Sequence, residues 1–113
     1  MGQIALEHRD VSKNLFGSSH MLAVMATIGR AEDGRFSAPQ VSGATGLPAS
    51  TIHNLITRLI RAGLVRRTGE VTPDRVAMYE RRPSLVWETA VAIEGEADAL
   101  QSGTITDLWD QRA

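Results

Sequence analysis

The chain has 113 residues, 42% of them hydrophobic, with a net charge of −1 and no cysteine. That is about one domain's worth of chain, apolar enough to fold rather than stay disordered. The missing cysteines exclude disulfides, thiolate metal sites and a cysteine nucleophile. No run approaches the roughly 18 apolar residues of a membrane span, and the N-terminus has no signal-peptide core, so a cytoplasmic protein is expected.

Residues 1–17 read as an N-terminal arm or short helix, with Ile4, Leu6, Val11 and Leu15 as its apolar positions. Gly17-Ser18-Ser19 breaks the chain, Ser18 being placed to cap a helix over 19–32 with Met21, Leu22, Met25 and Ile28 along one side. After Glu32-Asp33-Gly34, Phe36 begins a short extended stretch. Ser37 then caps a brief helix over 38–45 that has Pro39 in its first turn and buries Val41 and Ala44. Gly46-Leu47-Pro48 makes a tight connector, Gly46 allowing a left-handed backbone and Leu47 plugging the core.

The next helix, over 49–62, carries Ile52, Leu55, Ile56, Leu59 and Ile60 at i, i+3, i+4, i+7, i+8. The opposite side presents Ser50, Asn54, Thr57, Arg58 and Arg61, and Gly63 ends it. No carboxylate occurs from residue 34 to residue 69. Residues 64–68 and 76–82 read as two short strands joined by a polar loop. Pro83-Ser84 opens a long helix to about residue 101, with Val86, Ala90, Ile93, Ala97 and Leu100 at the 4-3-4-3 spacing of a coiled-coil seam. A last turn beyond Gly103 would carry Ile105, Leu108 and Trp109.

Charge is unevenly spread. Residues 58–82 hold seven arginines against three acids, whereas residues 83–113 hold one arginine against six acids. Salt screens exposed charges beyond about 8 Å at physiological ionic strength, so it is this local asymmetry that an anionic partner meets.

Helix, short helix, tight turn, amphipathic helix and hairpin, in that order, describe a winged helix-turn-helix: mainly α, with a small β wing at 64–82 and a C-terminal helical segment at 84–113. In that architecture, spanning 18–83, the helix at 49–62 enters the major groove, which is about 12 Å wide. Ser50, Thr51, Asn54, Thr57, Arg58 and Arg61 supply donors and acceptors of suitable length, and carboxylates there would repel phosphate. Arg67, Arg75 and Arg81 are candidate wing contacts to backbone or minor groove, although Arg81 and Arg82 could instead pair with the acidic C-terminal helix.

Residues 20–82 resemble the winged helix-turn-helix domains of bacterial transcription regulators of the IclR, MarR and ArsR types. The likeness is strongest in A-T-G-L-P-A-S-T-I-H-N-L-I-T-R-L-I-R-A-G-L-V-R-R, residues 44–67. The T-G-L-P-x-S-T-hydrophobic pattern closing with A-G-L-V is especially similar to the IclR-type DNA-binding domain. The resemblance implies sequence-specific binding of double-stranded DNA by a dimer. It puts Ser50, Thr51, His53, Asn54 and Arg58 at recognition-helix positions and Arg66, Arg67 and Arg75 at wing positions. IclR-type proteins carry a large effector domain after the wing. About thirty residues follow it here, so the architectural likeness is to small ArsR- or MarR-like dimers.

A homodimer is expected through Val86, Trp87, Ala90, Ile93, Ala97, Leu100 and Trp109, with two recognition helices about 34 Å apart on successive turns of the duplex. His8, His20 and His53 have no ligand spacing, and Glu94, Glu96 and Asp98 read as a solvated face, so no metal or cofactor is expected. There is no glycine-rich phosphate loop, no Ser-x-x-Lys and no histidine beside a plausible nucleophile, so no catalysis is expected. The competing readings are a winged-helix protein-interaction module, and a partition or copy-control factor that binds DNA.

Overall fold

The computed structural model describes residues 7–103. Helix α1 (His8–Phe16) ends at Gly17, which adopts the left-handed conformation with φ 74°. Helix α2 (Met21–Arg30) is the centre of the core, with Met21, Leu22, Val24, Met25, Ala26 and Ile28 all buried. Its N-cap, His20, makes no side-chain cap bond. The buried Ser12 of α1 does that work, its Oγ accepting from Leu22 N at 2.8 Å and donating to the Ser18 carbonyl. The Oγ of Ser18, the residue expected to cap this helix, accepts instead from His20 N at 3.2 Å.

Strand β1 (Arg35–Ser37) leads into α3 (Ala38–Thr45). The junction is a capping box: Ser37 Oγ accepts from Gln40 N at 3.3 Å and Gln40 Oε1 accepts from Ser37 N at 2.9 Å. Helix α4 (Ala49–Arg61) buries Ile52, Leu55, Ile56 and Leu59. In α3 and α4, two expected apolar positions fall outside the core: Ala44 is exposed and Ile60 is 37% exposed, at the edge of the α4 stripe.

Strands β2 (Val65–Val71) and β3 (Ala77–Arg81) form the wing, and β1 adds to β3, giving a three-stranded antiparallel sheet in the order β1-β3-β2. The expected two-stranded hairpin is present as β2–β3, and β1 extends it to a third strand. Phe36 pairs with Tyr79, and their rings stack with centroids 5.6 Å apart. The core joins α2, α3, α4, the sheet and α5, with Leu22, Ile28, Ile52 and Ile56 fully buried. Burying each such side chain stabilises by about 1.5–3 kcal/mol.

Helix α5 (Leu85–Gln101) is capped by Ser84, whose Oγ accepts from Val86 N at 3.2 Å. Its inward face packs on α2. Trp87, Ala90 and Ala97 are 3%, 1% and 2% exposed within the single chain, so these three positions, expected at a dimer seam, have no surface left for a second copy. The Trp87 indole donates to the Arg82 carbonyl at 2.8 Å. Val86, Ile93 and Leu100 are half-buried; Trp109 lies outside the described residues. The same helix carries Glu94, paired with Arg30 of α2, and Asp98, whose Oδ1 stands 2.7 Å from His8 Nε2 of α1 without the alignment of a hydrogen bond. No helix among the described residues is long and apolar enough to cross a membrane.

Candidate nucleic-acid interface

The α3–α4 turn sets the direction of α4. Gly46 takes φ 72°, a backbone that side chains disfavour, and its N–H closes α3 on the Ser42 carbonyl at 2.8 Å. Ser42 Oγ donates to the Leu47 carbonyl at 2.7 Å, and Leu47 packs against the core. With its turn fixed and its apolar stripe buried, α4 presents Ser50, His53, Asn54, Thr57, Arg58 and Arg61 to solvent, Thr51 being half-buried beside them. Pro48 is the N-cap and gives no side-chain bond to the first turn, which also lacks acids. The first turn is thus left without a side-chain cap or a neutralising acid, an arrangement suited to a phosphate.

Not all of this surface is equally free. Thr57 Oγ1 donates to the His53 carbonyl at 2.8 Å, leaving it as an acceptor toward any other group. Arg58 Nη2 donates to the Phe16 carbonyl at the end of α1, at 3.1 Å.

On the wing, Arg66 and Arg67 are exposed at adjacent positions of β2 with different surroundings. Arg66 is paired with Glu80 of β3, while the Arg67 guanidinium stands 5.9 Å from the centroid of the Tyr79 ring. A register shift between Arg67 and Val71 marks a bulge, with Thr68 Oγ1 donating to the Met78 carbonyl at 3.2 Å. At the tip, Thr72 N bonds to Val76 O at 2.9 Å and Arg75 N to Thr72 O at 2.8 Å, enclosing Pro73, Asp74 and Arg75. Arg75 holds φ 62°, alone among the described non-glycine residues. Glu70, the first acid after the acid-free stretch, lies 3.3 Å from Arg35.

Arg81, expected to contact the duplex or the acidic helix, is half-buried and engaged within its own domain. Its Nη1 donates to the Ile28 carbonyl at 2.8 Å and to the Ala31 carbonyl, closing the C-terminal end of α2. Arg82 Nε donates to the Gly63 carbonyl at 2.9 Å, just past the end of α4. Arg81, the last residue of β3, and Arg82, just after it, thus satisfy carbonyls at the ends of two helices. Nothing in the sequence distinguishes them from the wing cations, because their acceptors come from distant turns.

Residues 20–69 match the family profile of the IclR helix-turn-helix domain. No curated protein matches the chain. Among solved structures, the MepR–DNA complex of S. aureus is similar with a TM-score of 0.67 and 13% identity, over 87% of this chain and 72% of that one. The transcriptional regulator BldR from Sulfolobus solfataricus gives 0.66 at 16% identity, over 91% and 74%. A probable transcriptional regulator from Pseudomonas aeruginosa gives 0.60 at 21% identity, over 92% and 80%. At such identities the likeness carries the fold: a winged helix-turn-helix followed by a C-terminal helix.

Proposed function

We propose that this winged helix-turn-helix chain is a sequence-specific, double-stranded DNA-binding transcriptional regulator that acts as a homodimer in the cytoplasm and has no catalytic role. Helix α4 enters the major groove, and the β2–β3 wing lies on the adjoining backbone or minor groove. Ser50, Thr51, His53 and Asn54 meet base edges, asparagine being suited to adenine. Arg61, Arg67 and Arg75 meet phosphates.

The observation that carries this reading is the outward side of α4: a polar, cationic surface without carboxylates, held out by a buried stripe and flanked by exposed wing arginines. Solvated helix faces ordinarily mix in glutamate and lysine, and this one has neither. The dimer contact draws on the outward side of α5, where Leu85 is 77% exposed, and on Leu15 of α1, 59% exposed, rather than on Trp87, Ala90 and Ala97.

The test is a gel shift on random duplex at low salt, followed by selection of bound DNA from a random pool. Binding to both, with a two-fold symmetric selected site, is the expected result. Failure to shift any duplex at low salt would leave the fold to a protein-interaction role.

A further inference from the structure

We infer that α1 is a positioning element of the duplex-binding surface, its terminal carbonyl at Phe16 holding the Arg58 guanidinium ready for a backbone phosphate. The inference rests on the DNA-binding reading above and adds a part to it that no recognition-helix or wing pattern contains.

Three observations meet at this point. Arg58 is exposed, yet its Nη2 donates to the Phe16 carbonyl at 3.1 Å, across from the last turn of α4. That carbonyl is presented by Gly17 in the left-handed conformation, where an added Cβ would stand 3.9 Å from Arg58 Nη2. Helix α1 is itself pinned. Ser12 is hydrogen-bonded to α2, Val11 and Phe16 pack on the core, and His8 lies beside Asp98 of α5.

The fixed end of α1 therefore gives a flexible side chain a single anchor. A guanidinium has five N–H donors, and one bond to a carbonyl leaves the others for a phosphate. An exposed arginine loses rotamer freedom when it meets a ligand, and one already held loses less. The negative end of the α1 dipole favours the cation at this spot. Arg81 is the contrast: it is half-buried and occupied by two carbonyls, so it ends a helix and does no more. Arg58 has one protein bond and an open side.

The alternative is that Arg58 only closes α1, and salt dependence separates the two. Affinity for a fixed duplex is measured by fluorescence anisotropy between 50 and 200 mM salt, well below the melting temperature of every variant. Arg58→Ala is expected to lower the salt slope by about one unit per protomer. Arg58→Lys keeps the charge but cannot hold carbonyl and phosphate together, so it retains the slope while binding about 2- to 10-fold more weakly. Gly17→Ala, which strains the turn presenting the carbonyl, should weaken binding similarly, and this loss should vanish in an Arg58→Ala background.

An unchanged slope in Arg58→Ala, with only its melting temperature lowered, overturns the inference. So does a Gly17→Ala loss of equal size in both backgrounds. A wild-type chain that binds no duplex at all overturns the DNA-binding reading instead, a result distinct from either.

Discussion

Glu80 faces Arg66 directly across the β2–β3 pair with its carboxylate on that guanidinium, whereas the neighbouring Arg67 lies opposite Tyr79 with its guanidinium over the ring and no acidic partner among the described residues. The two arginines are adjacent in sequence and both exposed, but they do not offer a phosphate the same net charge.

Arg67→Ala should therefore weaken binding to all duplex sequences alike and lower the salt slope by about one unit per protomer. Arg66→Ala should lower it by less, and Glu80→Gln should raise it by freeing Arg66. Salt titrations of the three variants decide the matter. Equal slopes for Arg66→Ala and Arg67→Ala would show that the Glu80 pairing does not attenuate Arg66.

The wing tip holds a long cation where glycine is the residue of least strain. A left-handed backbone costs a side-chain-bearing residue about 1 kcal/mol or more, part of which a glycine returns through its freer unfolded chain. Arg75→Gly should leave stability unchanged or raise it by up to about 1 kcal/mol, while weakening duplex binding as much as Arg75→Ala does. Thermal melts and anisotropy on the same preparations test both halves. Wild-type affinity in Arg75→Gly would remove this residue from the interface.

Asn54→Ala should cost about 1–3 kcal/mol on a selected site and leave affinity for random duplex almost untouched. The comparison of the two affinities is the measurement. A similar loss on both would mean that Asn54 touches backbone and reads no base.

Arg81→Ala should separate architecture from recognition. It removes charge-assisted hydrogen bonds to the Ile28 and Ala31 carbonyls, at a cost of about 1.5–3 kcal/mol in chemical denaturation. The salt slope of duplex binding should stay at its wild-type value. A reduced slope would return Arg81 to the phosphate contacts.

These contrasts mark how far residue order alone reaches. The α4 stripe from Ile52 to Leu59 and the break at Gly46 to Pro48 were legible because helical period and turn chemistry are local. Strand β1 was not. Three residues are too few to show alternation, and Phe36 becomes a strand residue only by pairing with Tyr79, far along the chain. The α5 stripe shows its period but not its partner, since a second copy and the apolar α2 would select the same spacing. What settles Trp87, Ala90 and Ala97 is that α2 lies within reach. The arginines were the least legible of all. Arg58, Arg66, Arg67, Arg81 and Arg82 look alike in sequence, and only their distant acceptors divide anchors from free cations.

Ser37 closes β1 against Met78 and also caps α3, so the sheet and the helix-turn-helix share a residue. The sheet therefore cannot slide relative to α3, the first helix of the helix-turn-helix, without breaking either a strand pair or a helix cap. On the duplex this makes the chain a ruler with two fixed marks. If α4 reads a groove and Arg75 touches the backbone as proposed, an operator lengthened by one base pair between those two places shifts the second by about 3.4 Å and rotates it as well, and binding should weaken.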